Sequence, residues 1–225
     1  PVTLCTSHCS QEIIEAIVAA IAPACPERAM AGWGKRFRIA IKGEDPRNGR
    51  PFIWHMFLAR PGAGASSGGD GWHGSGEWHS AGGLKFGSVE VAETRFPLFF
   101  ERHEYRPNSG GDGQFIGGSG CELLMHLETD SDCVVNTAGE GTRHAGAGRE
   151  GGYDGATHDY RVVGPDGHER VLKTKEEGVP VRAGSVFDVR SGGGGGWGAP
   201  DRRSNDGRRN DEEVGLPPLT DRGAA

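Results

Sequence analysis

The stretch HDYRVVGPDGHERVLKTKEEGVPVRAGSVFDVRSGGGGGWGAP, residues 158–200, decides the fold. HDYRVV (158–163) leads into the turn GPDG (164–167) and out through HERVLKT (168–174), the signature of a β-hairpin. Pro165 fixes φ at one corner and Gly167 accepts a turn angle that other residues resist. VRAGSVFDVRS (181–191) reads as a further strand, and it runs into five consecutive glycines at 192–196. Those glycines remove side chains where a ligand, another subunit or another loop must approach the backbone closely.

Upstream the same character persists. KRFRIAI (35–41) alternates, with Phe37, Ile39 and Ile41 on one face, as in a strand with one wet face. The polar turn EDPRNG (44–49) separates it from PFIWHMFL (51–58), and the two are expected to pair as an antiparallel ribbon with a long connection. GCELLMHLETD (120–130) and DCVVNT (132–137) read as two more strands, and SVEVAETRFPLFFERHEYRP (88–107) has strand-forming composition interrupted by Pro97. The persuasive helix is at 7–22, where Ile13, Ile14, Ile17, Val18 and Ile21 make one apolar face, Glu12 sits in the first turn and Pro23 supplies a stop. It is expected to pack over a sheet. The predicted class is α+β, mainly antiparallel β with glycine-rich loops and one packed N-terminal helix.

PGAGASSGGDGWHGSGEWHSAGG (61–83) is too long and aperiodic for a plain connection, and Trp72, His73, Trp78 and His79 favour an ordered loop near a site. The last 25 residues mix basic and acidic side chains without apolar periodicity, so 201–225 is predicted to be a polar, disordered tail. Its paired arginines, Arg202–Arg203 and Arg208–Arg209, suit an acidic partner.

Composition narrows the function classes. Of 225 residues 40 are glycine, with no collagen period, and the formal charge is −6. That balance offers no electrostatic footprint for nucleic acid or an anionic membrane. No run of apolar residues is long enough to span a bilayer, and no signal peptide is visible. Five cysteines without a CxxC pair suit a reduced, cytoplasmic protein, with an oxidised secreted domain as the alternative.

The spacing GxGxxG occurs at Gly69-Gly71-Gly74, Gly146-Gly148-Gly151 and Gly193-Gly195-Gly198, but none follows a strand and opens a helix, so a dinucleotide site is not expected. GxxxxGK[ST], HExxH and GxSxG are absent. Cys5, His8 and Cys9 have neither haem nor zinc spacing, and Asp70 with His73 and His79 is a composition rather than a geometry; no metal site is assigned within the chain. His144 and His158 flank a glycine-rich turn and are candidates for proton transfer. Glu90 and Glu93, at odd spacing, would face opposite ways in an unbroken strand.

The ordered segments resemble the C-terminal part of the B subunit of the ATP-dependent hydantoinase/5-oxoprolinase family, which also includes acetone and acetophenone carboxylase subunits. The likeness spans about 5–200: APACPERAMAGWG after the helix; the glycine-rich segment ending in Asp70-Gly71; the stretch with Glu90, Glu93, Pro97-Leu98 and paired glycines 110–111 and 117–118; then GREGGYDG and the closing hairpin with its glycine run. The resemblance implies a component of a multisubunit cyclic-amide hydrolase acting on a carbonyl activated by phosphorylation, with a ketone carboxylase component or a non-catalytic structural subunit as alternatives. It implies ATP bound by an A-type partner, a divalent metal (Zn or Mn) held by an upstream segment or partner chain, and a small cyclic amide or ketone as substrate. The nominated catalytic residues are Asp70, His144 and His158. Glu90, Glu93, Arg143, Arg149 and Lys173 are nominated to bind substrate, the cations by neutralising developing charge. Full B-type subunits are more than twice this length, so the chain is expected to be a fragment or split subunit, inactive alone, completing its site with an upstream B-type polypeptide.

Overall fold

The computed structural model describes residues 7–78 and 85–220. Its elements in chain order are α1 (Ser7–Ile21), two 3-10 turns, β1 (Phe37–Asp45), β2 (Arg50–His55), α2 (Val89–Arg95), β3 (Leu98–Tyr105), β4 (Cys121–Leu127), β5 (Cys133–Gly139), β6 (Asp159–Val163), β7 (Glu169–Val171), β8 (Lys175–Val181), β9 (Val186–Arg190), a third 3-10 turn and α3 (Asn205–Val214). Every strand pairing is antiparallel. One sheet has the order β2-β1-β5-β8 and the other β3-β4-β9-β6-β7. The class is α+β, as predicted.

Alternation explains the sheets. β4 and β5 bury every second residue, and with β1 and β9 they deliver Ile39, Ile41, Val135, Leu123, Met125, Phe187 and Val189 to one apolar cluster shared by both sheets. Phe37 of β1 meets Tyr160 of β6 with ring centroids 4.2 Å apart, and Trp54 of β2 meets Phe100 of β3 at 6.0 Å, so the inner faces interlock. The hairpin β6–β7 turns at Gly167, φ +79°, as its sequence demands. β1 and β2 pair as expected, but β1 runs on to Asp45 while β2 stops at His55, short of the apolar Met56–Leu58, and the four-residue turn between them, 46–49, is organised by the carboxylate of Asp45.

Three expectations need correction. The stretch 88–107 is not a broken strand: Ser88 caps α2 by accepting from Val91 N–H, and β3 begins directly after Pro97. α1 does not lay its isoleucines on a sheet. Its polar side turns inward, with Gln11 donating to Gly34 O (3.0 Å), Glu15 accepting from Trp33 N–H (3.0 Å) and Lys35 bridging Glu12 and Glu15. The region after Pro200 is not a disordered tail as far as Thr220. Ser204 caps α3, Gly215 closes it at φ +72°, and Leu219 runs beside Gly110–Asp112. The charged residues of α3 supply this order through a buried ion pair rather than an apolar face.

The glycine-rich segments form a third structural layer that is neither α-helix nor β-sheet. Along the run 193–196 successive N–H groups donate to Ala156, Gly118, Gly32 and Tyr153 carbonyls, so the fourth bond returns to the segment served by the first. A methyl group added at the same four positions would strike Ser109, Ala63, Ala147 and Asp112, again returning to its first neighbour after three residues. Three residues per turn, with every hydrogen bond passing to a neighbouring segment, is the geometry of a polyproline-II-type helix at the centre of a bundle. Glycines 192–196 lie outside the left-handed region, so they are required for space and not for φ.

Candidate functional site

On one side of the glycine bundle lies a cleft of about 720 Å3. Its walls include Ile14 of α1, Met30, Trp33, Trp72 and Trp78, and its floor includes the backbone of Ala63–Gly64 and Asp70–Gly71. Trp33 and Trp78 stack 6.0 Å apart at an interplanar angle of 3°. Ring faces on glycine backbone with one acidic edge make the sort of concave, mainly apolar site that small organic ligands occupy.

The acidic edge is Asp70. Its Oδ1 accepts from Ile116 N–H (2.8 Å) and Arg203 Nη1 (2.9 Å), and its Oδ2 from Arg203 Nη2 (3.0 Å). Arg203 also grips Asp211 through Nε and Nη2, both at 2.7 Å. Burial of the guanidinium works against its charge, but the hydrogen bonds and charges of Asp70 and Asp211 prevail and hold it protonated. Asp70 is thus a carboxylate fixed in place by Ile116 N–H and the Arg203 guanidinium.

The other nominated residues are dispersed. His158 is 4% exposed, under the bundle rather than in the cleft; its Nδ1 accepts from Gly192 N–H (2.9 Å), so Nε2 donates to Lys35 O (2.5 Å). Burial lowers its pKa to about 4, which leaves a neutral crosslink between the glycine run and the segment before β1. His144 and Arg143 are exposed. Arg149 donates through Nε to the backbone carbonyl of Met30 (2.8 Å), a residue of the cleft wall. Lys173 is exposed at the end of β7, where its N–H donates to Glu176. Glu90 and Glu93 sit on α2, not on a strand: Glu90 accepts from the Ser88 hydroxyl, and Glu93 accepts from Phe100 N–H, tying α2 to β3. His73 accepts from Ser119 N–H at Nδ1 (2.9 Å), and burial lowers its pKa. His79 lies outside the described residues.

His158 gives a pH prediction. Its unfolded imidazole titrates near the ordinary 6.5 and its folded one near 4, so the unfolded chain binds the extra proton in that window. Stability should fall by about 1.4 kcal/mol per pH unit as pH drops from 6.5 toward 4, and be unaffected by this group above 7. Urea midpoints across that range check it. His158→Gln keeps an acceptor and a donor and should lose this slope; an unchanged slope refutes the assignment.

The residues that build the cleft were partly foreseen through Trp72 and Trp78. Trp33 was missed; Arg203 was singled out only as suited to an acidic partner and not as the partner of Asp70; and Glu77, a buried carboxylate outside the cleft lining, 2.9 Å from Arg38 and 3.5 Å from Arg36, was not singled out. Among the described residues no three His, Cys, Asp or Glu side chains gather where they could hold a metal ion. In the glycine motifs the N–H groups of Gly71, Gly74, Gly193, Gly195 and Gly198 donate to protein carbonyls and that of Gly148 to Asp154, so these six are not free to cradle a phosphate. Cys121 is no nucleophile, since burial pushes its thiol up to about 12.

Residues 1–200 match the family described as Hydantoinase B/oxoprolinase. The chain belongs to that family. It is 34% identical over 210 residues to the caprolactamase subunit beta of Pseudomonas jessenii, covering 88% of this chain and 35% of that subunit. The crystal structure of the ATP-dependent caprolactamase from Pseudomonas jessenii superposes with a TM-score of 0.68 at 29% identity, over 88% of this chain and 35% of that one. A nucleotide-free acetone carboxylase structure shares the fold, with a TM-score of 0.67 at 18% identity, over 86% of this chain and 30% of that one. The chain thus spans about a third of the length of these relatives. Among the described residues no helix is long and apolar enough to cross a membrane.

Proposed function

We propose that this chain is part of a B-type subunit in a multisubunit ATP-dependent hydrolase of small cyclic amides. The observation that carries the reading is its 34% identity, along 88% of its length, to a subunit named for hydrolysis of a lactam. The cleft suits the substrate class: a small ring packs against Trp72 and Trp78, while peptide groups of the glycine floor offer polarity without bulk. Asp70 positions that floor through its bond to Ile116 N–H. Nucleotide and divalent metal belong to the A-type partner and to the rest of the B-type polypeptide. When bound, ATP supplies phosphoryl activation of a carbonyl oxygen that is otherwise a poor leaving group. Arg143, Arg149, Lys173, His144 and His158 do not converge on the cleft, so within it the chain's own part is to bind the ring and exclude water.

The complex reconstituted from this chain, the remaining B-type polypeptide and an A-type subunit should consume ATP only when a lactam, hydantoin or 5-oxoproline is added. Phosphate release and ring opening, followed together, check this. A requirement for bicarbonate with a ketone would assign the carboxylase reaction instead, and ring opening by the lone chain without ATP would overturn the reading.

A further inference from the structure

α1 is amphipathic in the opposite sense from a helix on the outside of a finished protein. Its inward face is Gln11, Glu12 and Glu15, bonded to Gly34, Lys35 and Trp33, whereas Ile13, Ile17 and Ile21 are 55%, 53% and 53% exposed. The offsets of four place these three on one outward stripe, and Ile14 carries it into the wall of the cleft. Across the cleft stands Trp72, 66% exposed. The polar bonds prevent the helix from rolling its isoleucines inward, since that would strand Gln11 and Lys35 without partners. An exposed aliphatic stripe beside a cleft edged by an exposed tryptophan marks an interface.

We propose that the isoleucine stripe of α1, with the cleft edge at Trp72, is the docking surface for the rest of the B-type polypeptide, and that the segment it receives is uncharged and carries aliphatic or aromatic side chains. The inference rests on the assignment of the chain to a B-type subunit. Length identifies the occupant. In the caprolactamase subunit the matched region is 35% of the chain, so nearly two-thirds of that subunit has no counterpart here. A second copy is the less suitable occupant, because a formal charge of −6 on each chain opposes self-association.

The test combines this chain with a polypeptide covering the remaining length of the B-type subunit and reads the dissociation constant by biolayer interferometry. The variant Ile13→Asp/Ile17→Asp/Ile21→Asp changes only outward positions and should keep the circular dichroism and urea midpoint of the parent. Its Kd should rise by at least about tenfold. Val171→Asp, at an exposed apolar position on β7, should bind as the parent does. Hydrogen exchange on the unmutated chain gives a readout that needs no variant: amides of 9–21 should slow in the complex. Equal affinity of the triple variant, no binding by the parent, or unchanged exchange in α1 overturns the proposal. So does a dimer of the lone chain that the triple variant abolishes and the B-type polypeptide fails to compete away. Ile-sensitive binding without substrate-dependent ATP turnover would instead sink the hydrolase reading and leave the docking surface standing.

Discussion

Gly194→Ala should destabilise the chain severely and lower its urea midpoint well below that of the parent. The new Cβ would lie 1.9 Å from the carbonyl oxygen of Ala63 and 2.2 Å from its carbon. Real Cβ atoms do not approach that closely, so one of the two backbones must move. Overfilling an ordinary core costs about 1–3 kcal/mol because neighbouring side chains can change rotamer. Here no side chain intervenes, and shifting either segment breaks bonds on both: Gly194 N–H to Gly118 O (2.9 Å), Gly118 N–H to Ala63 O (2.8 Å) and Gly111 N–H to Gly194 O (2.8 Å). The loss should therefore reach about 3 kcal/mol or more, out of the roughly 5–15 kcal/mol that keeps a domain folded. Gly69→Ala is the matched control, since nothing lies within 4 Å of its added methyl group and its φ is outside the left-handed region. It should change stability by no more than about 0.5 kcal/mol. Equal urea midpoints for the two variants would mean that the bundle is not close-packed.

Arg203→Met should be nearly as damaging for a different reason. The Arg203 and Asp211 side chains are 3% and 6% exposed, so removing the guanidinium leaves a carboxylate buried without its partner. Breaking such a pair costs about 3–5 kcal/mol. The Asp70 share is smaller, because that carboxylate is 41% exposed and water screens it. Converting both partners, Arg203→Met with Asp211→Leu, should recover most of the loss, since an apolar pair of similar volume avoids desolvating either charge. A double-mutant cycle read by urea unfolding and by proteolysis within 205–214 measures the coupling. Additive losses would mean that the ion pair contributes nothing beyond its separate side chains. The cleft should suffer with the stability, because Asp70 carries Ile116 N–H and is itself held by Arg203.

What the sequence disclosed follows the range of the forces involved. The hairpin of β6 and β7 was legible because Pro165 and Gly167 act within four residues. β1 was legible because alternation is local. α2 was not, since a seven-residue helix shows too little periodicity to outweigh the β-branched content around it, and its capping bond from Ser88 is visible only once formed. The amphipathicity of α1 could be read, but not which face meets the protein, because that depends on Trp33, Gly34 and Lys35 offering polar partners. The five-glycine run announced a close approach without naming the segments that approach. Asp70 was singled out without its partner, as 133 positions separate it from Arg203. His158 looked like a proton carrier because its composition says nothing of Gly192 and Lys35, which occupy both nitrogens.

The glycine bundle also bears on how the molecule is made. Its central run, 192–196, emerges from the ribosome after the segments near 32, 63–65, 109–118 and 147–156 that it joins, so those earlier segments wait with their peptide groups in water until it arrives. Contacts so distant along the chain close slowly. This layer is therefore expected to be the last part of the newborn chain to lock, as one cooperative step, and the stage at which a folding helper would have the most time to act.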